Sequence, residues 1–523
     1  MLDLEVILIG LAVVAVLAIA AQYLDIPYPV LLVLGGIVLG FAPGLRGITF
    51  EPELVFLLFV PPLVFSAAWR VSWQELRANR RPIVDLSVGL VLTTMTVVAV
   101  VAYWLIPGMT WAVAFVLGAI VSDTDATAVT AIAQRLTMPR QIVAILEGES
   151  LGNDATSLVS YRMAIAAVVA GTFSMRSAVV EFLFAAIVGV ALGLLTAYLY
   201  VWVQRRLKNP SVEVVITLLL PFAAYIPADH LGASGMLAVV AAGIYAGQRD
   251  AETGSAVTRL QAAATWDTLV FVLNGLIFIL LGLQLRTVLD GVAGRPASLL
   301  ARDAAIVIVT VVLVRIVWMM GVTGLRSMLR RAARFPVEPL PWNSVPVVAW
   351  AGMRGASTLV VALAIPLATN DGTAFPDRAL VIFLTFCVVV VTLLVQGLSL
   401  PHLIQRTGLQ EDANDREVVR TRAAAHAAAV RRLDELAGGK TLPDHVARLR
   451  AYHERRAKQF AARSDGSFDQ AAAKRAESVQ QLRQELLQAE RREIIDLRAR
   501  GDISDASLRA VLHDLDLEEQ QGE

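Results

Sequence analysis

The chain has 523 residues, 56% of them hydrophobic and only 17% charged, with a mean hydropathy of +0.63. Its 45 basic residues balance its 45 acidic ones, so whole-chain charge argues for no nucleic-acid partner. The single cysteine, Cys387, excludes an intramolecular disulfide framework and any Cys-clustered metal site, and repeated apolar runs of about twenty residues exclude an ordinary soluble domain.

Apolar windows separated by Pro, Gly or Arg clusters predict about thirteen membrane spans. In chain order they cover residues 4–24, 28–42, 53–69, 82–106, 111–135, 141–171, 177–204, 211–228, 234–248, 262–285, 303–326, 345–368 and 379–400. The second and ninth are short. Asp3 and Glu5 open the first, where a signal peptide wants positive charge, so it reads as a retained span. Alternate loops carry Arg70 to Arg81, Arg135 and Arg140, Arg205 to Lys208, Arg249 and Arg259, and Arg326 to Arg334, fifteen basic residues against six in the opposite loops. The positive-inside rule then places the N-terminus outside and the C-terminus in the cytoplasm.

Divided as six, one and six, thirteen spans make two repeats of inverted topology that pair the fifth with the twelfth. Both are interrupted at mid-membrane, by Ser122-Asp123-Thr124-Asp125 and by Gly352-Met353-Arg354-Gly355. Paired interruptions of this kind point to a transporter binding site. From about residue 408 long apolar runs vanish, and residues 415–437, 441–463 and 470–500 read as solvated helices, with a last short one after Ser504. The expected organisation is therefore an all-α polytopic transmembrane domain, 1–407, and a cytoplasmic helical tail, 408–523.

Carboxylates at bilayer depth cost about 2.5–3.5 kcal/mol each on insertion scales, so they persist mainly along ion or proton paths. In the sixth span Ser150 and Asp154 share one helical strip, and Glu149 and Asn153 share the next. Asp154 lies about 20 Å from the cytoplasmic end at 1.5 Å per residue, near mid-bilayer. With a hydroxyl one turn away it can hold a dehydrated hard cation or a proton, but not both well. In the fifth span Asp125 is placed to cap the second half-helix, and Thr124 offers a hydroxyl and a free carbonyl. Arg354 is placed to neutralise the carbonyl end of the half-helix before it. Arg315 needs a partner at depth; Glu149 is the best candidate, and a structural ion pair is favoured over direct ligation.

The stretch Glu147-Gly-Glu-Ser-Leu-Gly-Asn-Asp154, preceded by Gly118-Ala-Ile-Val-Ser-Asp-Thr-Asp125, resembles the core motif of monovalent cation:proton antiporters. The similarity is to the Asn-Asp branch, which includes bacterial sodium/proton antiporters and animal sodium/hydrogen exchangers. Pro61-Pro62 and Gly352-Met-Arg-Gly355 fit the same family, and together these motifs cover most of residues 1–405. The resemblance implies that Asp154 binds cation and proton in turn, and that Asn153 replaces a second acid. It further implies that Ser150 and Thr124 coordinate Na⁺ with Asp154, that Asp125 sits at the helix break, and that Glu149 and Arg315 pair. It also implies elevator-like motion of a core against a dimerisation domain, hence a homodimer, in a bacterial plasma membrane. Two departures bear on selectivity: Ser66 stands where several relatives carry an acid, and Asp123 is an extra acid beside the break, with Ala126 replacing a common proline.

Gly148-Glu-Ser150-Leu-Gly152 matches the nucleophile-elbow pattern, but in an apolar helical run with no central histidine it does not read as a hydrolase. The expected function is exchange of Na⁺, with Li⁺ and K⁺ as alternatives, for H⁺. No enzyme activity and no cofactor are expected. The expected partners are the bilayer, a second copy, and a regulatory ligand or protein at the tail. A cation channel or uniporter and a membrane ion or pH sensor are the rival readings.

Overall fold

The computed structural model describes residues 2–24, 27–41, 52–125, 129–130, 138–170, 175–253, 255–333, 341–409, 413–437 and 444–464, with short pieces between 486 and 500 and residue 511. The chain divides into two compact units, Met1–Gln410 and Glu411–Glu523. In the first, among the described residues, there is no strand beyond the single bridge between Ala368 and Ala374.

Its helices are α1 (Leu2–Leu24), α2 (Tyr28–Gly40), α3 (Pro52–Arg70), α4 (Trp73–Ala78), α5 (Arg80–Leu105) and α6 (Trp111–Ser122). They continue with α7 (Arg140–Ala170), α8 (Met175–Gln204), α9 (Pro210–His230), α10 (Gly235–Thr253), α11 (Ala256–Gly291) and α12 (Ala297–Ala333). The unit ends with two short helices, α13 (Val345–Trp350) and α14 (Ala356–Leu363), and with α15 (Arg378–Thr407). Six stretches are long and apolar enough to cross a bilayer: α5, Val179–Gln204 of α8, α9, α11, Ala297–Leu325 of α12, and α15. Shorter apolar helices occur at Gly10–Leu24, Tyr28–Gly40, Leu57–Arg70 and Trp111–Ser122. In bilayer every backbone polar group needs an internal partner, so helices are the form such runs take.

Several helices outrun the apolar windows that announce them. The tenth window, 262–285, lies inside α11, because Ser255 accepts the Thr258 N–H at 3.1 Å and starts the helix at Ala256. Apolarity marks the hydrocarbon depth, whereas a capping side chain marks the helix end. Thr110 caps α6 in the same way, accepting from the Val113 N–H at 3.4 Å. Trp104 and Trp111 flank that turn, exposed as interfacial anchors should be.

The buried side chains form two clusters. The larger gathers residues of α1, α2, α5, α6, α7, α11, α12 and the segments from α13 to α15. The second gathers α3, α8, α9 and α10 around Trp266 of α11, whose Nε1–H donates to Thr217 Oγ1 at 3.1 Å. Large apolar side chains such as Ile187, Leu195 and Trp202 along α8, and Val317 along α12, face outward, as a bilayer-facing surface requires.

The second unit contains α16 (Ala413–Ala437) and α17 (Asp444–Ser464), packed together as a pair. Arg450 clamps Asp434 at 2.8 Å, and His426 Nδ1 lies 2.9 Å from His453 Nδ1. The helices expected at 470–500 and after Ser504 fall largely outside the described residues.

Candidate functional site

Two broken helices meet backbone to backbone. After α6 ends at Ser122, residues 123–125 are non-helical; after α13 ends at Trp350, residues 351–355 are non-helical before α14 begins. The Asp125 N–H donates to Met353 O at 2.9 Å, which joins the two interruptions directly. Arg354, 2% exposed, binds them further. Its Nε–H donates to Val121 O at 3.0 Å and its Nη1 to Gly352 O, while its own N–H donates to Thr392 Oγ1 at 3.2 Å. The guanidinium thus satisfies the carbonyl just past α13, close to what the sequence suggests, and also the end of the other broken helix. A helix end exposes unsatisfied carbonyls with a partial negative charge, so a cation shared between two such ends stabilises both.

Asp125 lies against Gly355, where a Cβ would overlap the carboxyl group. Its charge therefore sits at the N-terminus of α14, where negative charge is stabilised. The sequence suggests Asp125 as cap of the second half of its own span; residues 126–128 lie outside the described residues.

The two strips expected on α7 face different neighbours. On one side, Glu149 and Arg315 form a fully buried bidentate pair, Oε1 with Nη1 and Oε2 with Nη2, the latter at 2.8 Å. Arg315 also donates to Val348 O from Nε at 3.2 Å and from Nη2 at 3.0 Å. Thr124 Oγ1 donates to Glu149 Oε1 at 3.1 Å and accepts from Asn153 Nδ2 at 2.5 Å, and Asn153 Nδ2 also lies 3.1 Å from Thr124 O. Asn153 and Glu149 thus hold the strip at Thr124 onto α7. Thr124 has its hydroxyl committed on that side in this conformation.

On the other side, Ser150 and Asp154 line a cavity of about 320 Å³ together with Asp125, Ser66 and Ser357. Arg70 and Asp267, paired at 2.6 Å, are also on its wall, with Glu147 about two turns along α7 from Asp154. Asp123 is buried beside Asp154, and Ser357 Oγ donates to Asp123 Oδ2 at 3.4 Å. The structure therefore brings Asp154, Ser150, Asp125 and Ser66 to one cavity. It sets Thr124 and Asn153 behind the α7 wall, and Glu149, Arg315 and Arg354 into the framework. Nothing in the sequence singles out Ser357, since a serine in the first turn after a helix break carries no periodic signal. Asp267 likewise sits in an apolar helix whose sequence marks no cavity. The Gly148–Gly152 pattern lies in mid-helix, not at the strand-to-helix turn a nucleophile elbow needs.

Chemically, the cavity offers carboxylate and hydroxyl oxygens at the junction of two broken helices, a hard donor set suited to alkali cations or protons. Comparison with known proteins agrees. A family model described as "Sodium/hydrogen exchanger, transmembrane" matches residues 9–406. An uncharacterised Na⁺/H⁺ exchanger of Mycobacterium tuberculosis is 36% identical over 501 residues, covering 94% of this chain and 91% of the relative. A sodium, potassium, lithium and rubidium/H⁺ antiporter of Bacillus subtilis is 35% identical over 413 residues, covering 76% of this chain and 61% of the relative. Among solved structures, the sodium proton antiporter MjNhaP1 of Methanocaldococcus jannaschii shares the fold, with a TM-score of 0.62 and 18% identity over 78% of this chain and 99% of that one. The chain belongs to the sodium/hydrogen exchanger family of membrane transporters.

Proposed function

We propose that this protein exchanges Na⁺ for H⁺ by alternating access, with Li⁺ and K⁺ as further candidate cargo, and that cation and proton compete at Asp154. The observation that carries the reading is the position of Asp154 and Ser150 on one cavity beside the meeting point of two broken helices. Asp154 releases its proton, takes the cation with Ser150 and with Thr124 once the strip shifts, and is reprotonated on the opposite side. Competition at one carboxylate couples the fluxes without a second site. Asp125 and Arg354 hold the breaks in register, and Glu149 with Arg315 anchors α7 to α12, so that these elements move as a body. No cofactor takes part.

The topology that fits has thirteen spans in two inverted repeats, the N-terminus outside and the C-terminal tail in the cytoplasm, in the bacterial plasma membrane. The transmembrane domain covers 1–407 and works as a homodimer, and the tail, 408–523, receives a regulatory ligand or protein. The test is proton flux in proteoliposomes under an imposed pH gradient, with Na⁺, Li⁺ or K⁺ added separately to wild type and to Asp154→Asn. Cation-triggered collapse of the gradient in wild type, absent in the folded variant, is the expected result. Wild-type rates in Asp154→Asn would refute the role of Asp154.

A further inference from the structure

The exchange reading above places ion competition at one acid, Asp154, with Asp125 on the same cavity but set against the N-terminus of α14. Asn153 is amide rather than carboxylate, and Ser66 offers only a hydroxyl on the cavity wall. A second acid nevertheless stands beside Asp154. Asp123, in the non-helical strip after α6, is 6% exposed and lies beside Asp154, and Ser357, which lines the cavity with Asp154, reaches its carboxyl group. Ser357 donates to Asp123 Oδ2, whereas Oδ1 is buried with no donor among the described residues.

Two carboxylates side by side at membrane depth repel each other, and neither supplies a donor. The arrangement persists only with a positive charge between them or with a shared proton. The guanidinium groups of the two buried arginines nearby are bonded elsewhere, although the charge of Arg354 reaches Asp123. Arg315 is held by Glu149 and Val348 O, and Arg354 by Val121 O and Gly352 O.

Resting on the reading of Asp154 as the exchange residue, we propose that Asp123 is a second carboxylate ligand of the transported alkali cation, which sits between Asp123 and Asp154. Ser150 on α7 and Ser357 on α14 add hydroxyl oxygens on either side, completing an all-oxygen environment for a hard cation. The broken-helix strip then supplies the second acid that Ser66 on α3 does not. Asp123 differs in this from Asp125, which is spent at the N-terminus of α14.

The experiment uses full-length protein and compares wild type, Asp123→Asn, Asp123→Asn with Ser66→Asp, and Asp154→Asn. Half-saturation by Na⁺ is read twice, from Na⁺-induced thermal stabilisation in detergent and from exchange in proteoliposomes. Asp123→Asn keeps size and hydrogen-bonding capacity, so the expected result is a half-saturating Na⁺ concentration raised about tenfold or more in both readouts. Adding Ser66→Asp places a carboxylate on the cavity wall that carries Asp154 and is expected to recover most of that loss. Asp123→Ser carries the same expectation if the amide variant does not fold. Unchanged half-saturation in the folded variant would overturn the proposal and leave Asp123 as a neighbour of Asp154 only. Absence of cation-dependent exchange in wild type would instead sink the transport reading itself, so the two failures are separable.

Discussion

Glu149 and Arg315 illustrate how a buried charge pair serves as framework. Each is desolvated, and each leaves an uncompensated charge if the other is removed, so Glu149→Gln or Arg315→Gln alone is expected to destabilise by about 3–5 kcal/mol. Thermal unfolding in detergent checks this, and the double variant should lose less than the sum of the two singles. At Gly355 a single methyl group is predicted to cost function without removing any charge. Gly355→Ala would displace the Asp125 carboxyl from the N-terminus of α14 and is expected to cut exchange at least about tenfold. Wild-type exchange rates in that variant would contradict the placement of Asp125. The ion pair was legible in the sequence, because Glu149 falls on its own strip of α7 and Arg315 is a deep cation in need of a partner. Ser357 and the commitment of the Thr124 hydroxyl to Glu149 were not legible. Both depend on which side of α7 the strip at 123–125 lies, and no spacing within one span fixes that.

At the scale of elements, both interruptions could be read from the chain, since a polar run at hydrocarbon depth is costly unless it lines a cavity or breaks the helix there. That they bond to each other through Asp125 N–H and Met353 O could not, because backbone contacts between distant segments leave no side-chain signature. The apolar windows end short of the helices wherever a cap, such as Ser255, lies outside them. The α16–α17 pair carries a separate prediction. Partial burial, with His453, Arg456 and Arg422 close by, holds His426 below its ordinary value of 6.5. The packed pair therefore binds this proton less readily than separated helices do. Its stability from this source is full above about pH 6.5 and falls as pH drops through that value toward the lower folded one. Hydrogen-exchange protection along α16 and α17, corrected for the intrinsic pH dependence of amide exchange, should fall on acidification, and His426→Gln should flatten that dependence. Protection independent of pH between 8 and 5, a range of about 1.5 units on either side of an ordinary histidine, would contradict it.

For the whole molecule, the division at Gln410 separates the unit that carries every proposed ion-binding group from the charged helical unit that follows. Deleting residues 411–523 is accordingly expected to leave cation-dependent exchange in proteoliposomes within about threefold of wild type, while altering its response to cytoplasmic conditions. Loss of all exchange in a folded truncation would place an essential element in the tail. The central claim is that cation and proton compete for Asp154, and the most direct measurement is the pH dependence of Na⁺ half-saturation in proteoliposomes containing the full-length protein. Competition at one carboxylate predicts that, on the acid side of the optimum, half-saturating Na⁺ rises about tenfold for each unit of falling pH while the maximal rate at saturating Na⁺ holds. A half-saturation that stays constant with pH, with only the maximal rate changing, would mean that the two ions do not share the site.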